Sequence, residues 1–242
     1  MTDAEIENEI ELTRYQRWRY SSLFLPSLLL ILLVGVFAAS MGRELYRRHS
    51  LNSYVSQLGG TIHRATPTEQ YTLLNYSSAG SKVYSKRYYV VKLPQVEISD
   101  SQLQELAERM QVLNAIYRLD LSDATVTDVD FSCLSEPLEL MSLQLVGTNL
   151  TETQLEQISQ LQELIELDLS RNELSLVGIQ FLARLEELTT LRLDHVSLTD
   201  EMVEELGRIP AIRFLSITNS GVTEETVKAL VKSHPQIEIT DD

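Results

Sequence analysis

The chain has 242 residues, 43% of them hydrophobic, and 35 acidic against 20 basic side chains give a formal charge of −15. That size and apolar content support the core of one large or two small domains and exclude global disorder, while the acidity argues against nucleic acid, which requires a concentrated positive face. One cysteine, Cys133, excludes an intramolecular disulfide and any multi-cysteine zinc or iron–sulfur site.

Residues 1–21 form a short acidic tail. From Tyr20 to Gly42 runs a stretch without formal charge, densely apolar from Leu23 to Ala39. Because about 20 helical residues cross a hydrocarbon core of roughly 30 Å, residues 22–41 predict one transmembrane helix. Trp18 and Tyr20 on one side and Tyr46 on the other have the placement of interfacial aromatics. A cleaved signal peptide is the competing reading, since Ala38-Ala39-Ser40 resembles a cleavage site; the acidic leader and the length of the apolar run speak against it. Arg14, Arg17 and Arg19 before the span balance Arg43, Arg47 and Arg48 after it. Long domains translocate largely regardless of charge, so the tail is expected in the cytoplasm and the remainder outside, periplasmic or extracellular.

Residues 42–87 are a juxtamembrane segment. Leu51, Tyr54, Val55 and Leu58 have helical spacing, and Gly59-Gly60 predicts a left-handed helix stop. Thr61 to His63 and Tyr84 to Leu93 read as extended, separated by the turn-rich Tyr76 to Ser81. The segment is expected to cap the N-terminal edge of the C-terminal domain, with a flexible linker as the alternative.

Residues 88–242 repeat. The pairs Leu119/Leu121, Leu143/Leu145, Leu167/Leu169, Leu191/Leu193 and Leu215/Ile217 recur every 24 residues, each preceded three residues earlier by Ile116, Leu140, Leu164, Leu188 or Ile212. Five residues after each pair stands Val126, Leu150, Leu174, Leu198 or Val222. An earlier copy lies at Val91-Lys92-Leu93 and a truncated last strand at Ile237-Glu238-Ile239. Alternation in each pair predicts a short strand. Helical spacing comes next, in Leu155/Ile158/Leu161, Ile179/Leu182/Leu185, Val203/Leu206/Ile209 and Val227/Leu230. Hydroxyl N-caps are expected at Ser99, Thr127, Thr151, Ser175, Thr199 and Thr223, all but Ser175 followed by a carboxylate that suits the helix dipole. No single unit can bury its apolar stripe, so stacking is obligatory.

These residues resemble leucine-rich repeats of the ribonuclease-inhibitor-like and cysteine-containing types. The position that such repeats fill with Asn, Cys or Thr holds Ala124, Thr148, Asn172, Val196 and Ser220. The resemblance implies an α/β solenoid, a short arc of about six to seven parallel strands with helices on the convex side, after one N-terminal transmembrane helix. The whole arrangement looks like single-pass membrane-anchored bacterial leucine-rich-repeat proteins, which implies a binding module on a membrane stalk and no known chemistry.

Nothing in the sequence assembles a catalytic site. There is no H-E-x-x-H, G-x-S-x-G, P-loop or G-x-G-x-x-G, and His49, His63, His195 and His234 fall in unrelated parts of the repeat. Asp194-His195 reads as a solvated turn, and Cys133, beside Phe131 and Leu134, as a small core residue. No cofactor, metal or small-molecule substrate is expected. The outward column between the core leucines reads Lys92, Asp120, Gln144, Asp168, Arg192, Ser216 and Glu238, with Arg118, Ser142, Glu166, Thr190 and Phe214 beside it. Asp120 and Asp168, two strands apart, would lie about 10 Å from each other, too far for one cation to bridge. The expected function is protein or peptide binding through this concave face by Arg118, Asp120, Gln144, Glu166, Asp168, Arg192 and Phe214, with a solvated face as the bland alternative. A structural or envelope scaffold, or the binding subunit of a receptor that signals through another protein, remain open. Asn75-Tyr76-Ser77 and Asn149-Leu150-Thr151 match the glycosylation pattern.

Charge is segregated along the chain. Residues 43–94 carry eight basic and two acidic side chains, whereas residues 95–242 carry nine basic and 28 acidic ones. Anionic headgroups are expected to attract the first region and repel the second.

Overall fold

A computed structural model describes residues 3–66, 87–113, 115–135 and 138–241, and of residues 3–28 it describes the backbone alone. The chain divides into two compact units, Met1–Arg48 and His49–Asp242. Tyr76 to Ser81 and the Asn75 glycosylation motif lie outside the described residues.

Helix α1 (Asp3–Gln57) has 55 residues and is about 80 Å long. The tail, the span and the juxtamembrane helix that the sequence reading keeps apart are therefore one element. No described residue before Gly59 takes a left-handed backbone, and the helix continues through Pro26. Leu29 to Phe37 expose their apolar side chains all round, and from Leu29 the helix is long and apolar enough to cross a membrane. The stop is where the glycines predict it. Gly59 has φ +83°, its N–H donates to the Ser56 carbonyl at 3.1 Å, and the Gly60 N–H donates to the Val55 carbonyl at 2.9 Å. Gly60 has a second role, because a Cβ there would sit 2.4 Å from both the Lys92 carbonyl oxygen and Leu93 Cδ2.

The second unit is an α/β fold on one eight-stranded sheet whose strands lie in chain order. β1 (Thr61–Arg64) pairs antiparallel with β2 (Tyr88–Lys92) and occupies the N-terminal edge. The strands β3 (Ile116–Asp120), β4 (Glu139–Gln144), β5 (Glu166–Asp168), β6 (Thr190–Arg192), β7 (Phe214–Ser216) and β8 (Glu238–Thr240) then add in parallel. Between them come α2 (Asp100–Gln111), a 3-10 turn at Phe131–Leu134, α3 (Glu152–Ile158), α4 (Leu176–Leu182), α5 (Asp200–Leu206) and α6 (Glu224–Ser233). Leu143, Leu167, Leu191, Leu215 and Ile239 face one another in register, so the 24-residue sequence period is the strand spacing.

One core follows from that period. Leu119, Leu143, Leu167 and Leu191 are fully buried against Leu155, Ile158, Ile179, Leu182, Val203 and Leu206 of the helices. Leu51, Tyr54 and Val55 from the end of α1 join the same core. Arg109 of α2 lies over the Tyr54 ring at 4.7 Å and donates to the Ser50 hydroxyl, tying that helix end to α2. Five of the six expected caps are present: Ser99, Thr151, Ser175, Thr199 and Thr223 each accept from the backbone N–H of the third helical residue. Thr127 is not a cap. Asp128 after it is left-handed, and the cap passes to Asp130, whose carboxylate accepts from the Ser132 N–H at 2.8 Å ahead of the 3-10 turn.

The phase of the last strand also needs correction. Ile239, 24 residues after Leu215, stands opposite it half-buried, so Thr240 pairs with Ser216 and Glu238 with Phe214, while Ile237 is buried in the core just ahead of the strand. A bulge between β3 and β4 skips Met141 and places it with Ile116 instead of the main core.

The hydrogen-bond ladder continues past the strands. Leu121, Leu145, Leu169 and Leu193 each donate to the next repeat's backbone at 2.8–2.9 Å, and two residues on Asp123, Gly147, Arg171 and His195 donate again at 2.7–2.9 Å. These last four have φ between 56° and 64°. The left-handed residue turns the chain out of the strand at the same place in every unit. Asn172 closes the turn from inside: its side-chain amide donates to the carbonyls of Leu145, Leu169 and Ser170, and its Oδ1 accepts from the Thr148 N–H at 3.1 Å.

Removing that side chain leaves the Leu169 carbonyl without a donor and the Thr148 N–H without an acceptor, while the Leu145 and Ser170 carbonyls keep the Thr148 hydroxyl and the Gly147 N–H. Asn172→Ala is expected to lose about 2–3 kcal/mol in urea denaturation. Gly60→Val should lose more, because it meets a backbone oxygen and demands that β2 shift.

Candidate functional site

The helices cover one face of the sheet, and side chains of alternate strand residues point to the second face. Two columns cross it in register. Val90, Arg118, Ser142, Glu166, Thr190, Phe214 and Glu238 form one, and Lys92, Asp120, Gln144, Asp168, Arg192, Ser216 and Thr240 the other. The seven residues expected to contact a partner share this face.

They are not equally accessible. Ser142, Glu166 and Asp168 are buried, which corrects the expectation of exposed columns; Arg118, Asp120, Gln144, Arg192 and Phe214 are half-buried. The cause is a charge cluster. The Glu166 carboxylate, 4% exposed, accepts from Arg118 Nη2 at 3.0 Å, from the Ser142 hydroxyl at 3.0 Å and from Arg192 Nη1. Two cations and a hydroxyl thus meet one carboxylate across four strands, β3 to β6. Burial works against the Arg192 cation, yet the bond to Glu166 and the charges of Glu166, Asp168 and Asp194 outweigh it and raise its pKa further. Arg118 Nε is buried without a hydrogen-bond partner.

Aspartates organise the next column through their neighbours. Asp120 accepts from the Ser122 N–H at 3.0 Å, and Asp168 from the Ser170 N–H at 3.1 Å. Asp194 accepts from the Thr218 N–H at 2.9 Å and from the Ser216 hydroxyl at 2.6 Å, so it belongs to the network although His195 beside it is an exposed turn residue. Burial raises the Asp168 carboxyl above the ordinary range, partly offset by the Ser170 hydrogen bonds and Arg192. Tyr117, inside the core, donates to the Met110 carbonyl at 2.9 Å, and burial raises its phenol as well.

The same face carries an apolar cluster that the column reading misses. Tyr88, Val90, Ile116, Met141 and Ile165, with Ala65, are all buried beside Arg118. The signal was available at one end, since the unbroken run Tyr88-Tyr89-Val90-Val91 implies a strand buried on both faces. Met141 depends on the bulge, which no period announces.

Chemically the face centres on one carboxylate held by two arginines. Glu166 has both oxygens engaged, and among the described residues no group of three or more His, Cys, Asp or Glu is placed to hold a metal ion. Cys133 is half-buried in the 3-10 turn, where its Sγ donates to the Asp130 carbonyl at 3.3 Å. Burial, with Asp130 and Asp100 nearby, pushes its thiol up to about 11. It stays a protonated thiol at neutral pH, the opposite of what a nucleophile needs. No protein-family model matches the chain, and no curated protein matches it.

Glu166→Gln leaves two arginines without their counter-charge. The guanidinium groups can reach water, so the expected loss is about 2–3 kcal/mol, at or below the low end for broken buried pairs. Asp168 behaves in the other direction. Its folded carboxyl binds a proton more tightly than the unfolded chain does, so ionisation opposes folding progressively from its ordinary value near 3.8 up to the raised folded value, and constantly above. Asp168→Asn, which keeps the acceptor for Ser170, should be at least as stable as the wild type at neutral pH. Urea denaturation across the acid range should show that advantage fading as pH falls toward 3.8.

Proposed function

We propose that this chain is a leucine-rich-repeat module, anchored by one transmembrane helix, that binds a protein or peptide through the second face of its sheet and performs no catalysis. The observation that carries this reading is the 24-residue register from β4 to β8, which with the 28-residue step from β2 and the bulged step from β3 aligns outward side chains in columns across seven parallel strands. At about 4.8 Å per strand those columns span roughly 30 Å, enough for an extended peptide or the edge of a domain. Arg118, Asp120, Gln144, Arg192 and Phe214 would make the contacts. Glu166 would hold the two arginines in place, with Asp168 beside Arg192. The apolar stretch of α1 supplies the anchor, with the tail in the cytoplasm and the repeats outside.

The arginines are poor test positions, because reversing Arg192 would set a second carboxylate against Glu166 and disturb the fold. Photo-crosslinking residues at Gln144 and Phe214 of the full chain in its native membrane should yield one shared adduct, and the same group at Gln180 or Glu156 on the helices should yield none. Indistinguishable adducts from both faces, or no adduct from Gln144 and Phe214, would sink the proposal. The anchor is tested separately: the wild-type chain should resist alkaline carbonate extraction, and Leu30→Arg with Leu33→Arg should release it.

A further inference from the structure

On the helical side, away from the charged face of the sheet, a groove of about 540 Å³ opens between α5 and α6. Its size is typical of binding clefts. The sequence explains why it forms there. At the positions where α3, α4 and α5 carry Gln157, Phe181 and Glu205, α6 carries Ala229; where those units place Leu161, Leu185 and Ile209, α6 has Ser233. The two helices nevertheless touch at their ends. Asp200 Oδ1 accepts from the Thr226 hydroxyl at 2.6 Å, and Gly207 lies so close to His234 that a Cβ would meet its ring at 2.7 Å. Bulk is missing only in between.

The groove has an apolar floor of Val203, Ala229 and Leu230 and an acidic rim of Asp200, Glu204 and Glu225. Glu204 and Glu225 are exposed and take part in no ion pair among the described residues. Lys228 pairs with Glu224, and neither it nor Lys232 is among the lining residues. Three carboxylates over a hydrophobic trough complement one kind of occupant. We propose that the groove docks a cationic amphipathic helix of a partner protein, its leucine-like side chains on Leu230 and Val203 and its lysines or arginines against Glu204 and Glu225. α6, ten residues and about 15 Å long, offers room for nearly three turns of such a helix.

The test uses the full chain in zwitterionic nanodiscs, titrated with a fluorescent helical peptide bearing leucines on one face and lysines on the other, with the signal of empty discs subtracted. Saturable binding in the micromolar range is expected, with none for the twin peptide that carries glutamates. Ala229→Phe and Ser233→Leu, which introduce the residues that the α4 unit carries at the same positions, Phe181 and Leu185, should each weaken binding at least tenfold. Glu204→Lys with Glu225→Lys should do the same on exposed positions that the fold does not depend on, whereas Glu163→Lys with Glu173→Lys, remote acids, should change binding less than twofold. Unchanged affinity in the filled and charge-reversed variants, or an equal loss from the remote reversal, overturns the proposal. So does self-association of the chain that Ala229→Phe abolishes while the lysine peptide fails to bind, since the occupant would then be a second copy.

Discussion

The repeating strands β4 to β7 can bury their leucine pairs only by lying 24 residues in register with the next, and the rest of the second unit accommodates that requirement. A pair such as Leu167/Leu169 gains its burial from Leu143 and Leu191 on either side and from the helix of its own unit above. The backbone ladder then needs an exit that does not break the register. Asp123, Gly147, Arg171 and His195 provide it by taking the same left-handed conformation although only one is glycine. The strain at Arg171 and His195 is tolerated because the hydrogen bonds on both sides of the turn fix its position. Asn172 contributes from within, satisfying carbonyls that no strand reaches.

The two surfaces of the sheet unit divide along chemical lines. On the second face Glu166 is shared by two arginines, and Asp194 accepts hydrogen bonds from a hydroxyl and a backbone amide with the Arg192 cation nearby. On the helical side the carboxylates outnumber their partners. Residues 95–242 hold 28 acids and nine bases, and at the α5–α6 rim that excess borders the apolar floor of the groove. A carboxylate held by two arginines favours shape and hydrogen bonding in recognition, whereas an acidic rim favours attraction at a distance.

Strand order, helix positions and five of six caps were legible because they rest on local rules: alternation, helical spacing and a hydroxyl ahead of a turn of helix. The same rules failed wherever one residue could serve two phases. Ile237-Glu238-Ile239 and Ile239-Thr240 both look like the end of a strand, and only the 24-residue register chooses the second. Thr127-Asp128 resembles a cap, but the unit between β3 and β4 folds a 3-10 turn in place of an α-helix. Columns could be listed from the sequence without revealing that Glu166 sinks beneath Arg118 and Arg192, since burial of a polar residue on an outward face depends on the length of its neighbours' side chains. The length of α1 was hidden for a related reason. The sequence marks where a helix can cross a membrane and where glycine stops it, and no residue marks a boundary that is absent.

Uniform register also bears on how the chain reaches its structure. From β3 onward each new strand closes a loop of nearly constant length onto the strand before it, so the entropy of closure is the same modest increment each time. No pairing in the parallel sheet joins residues far apart in the sequence, which places this large sheet among topologies of low contact order, unlike most sheets of eight strands. Assembly can therefore advance neighbour by neighbour, with the helix of each unit packing as soon as its own two strands have met.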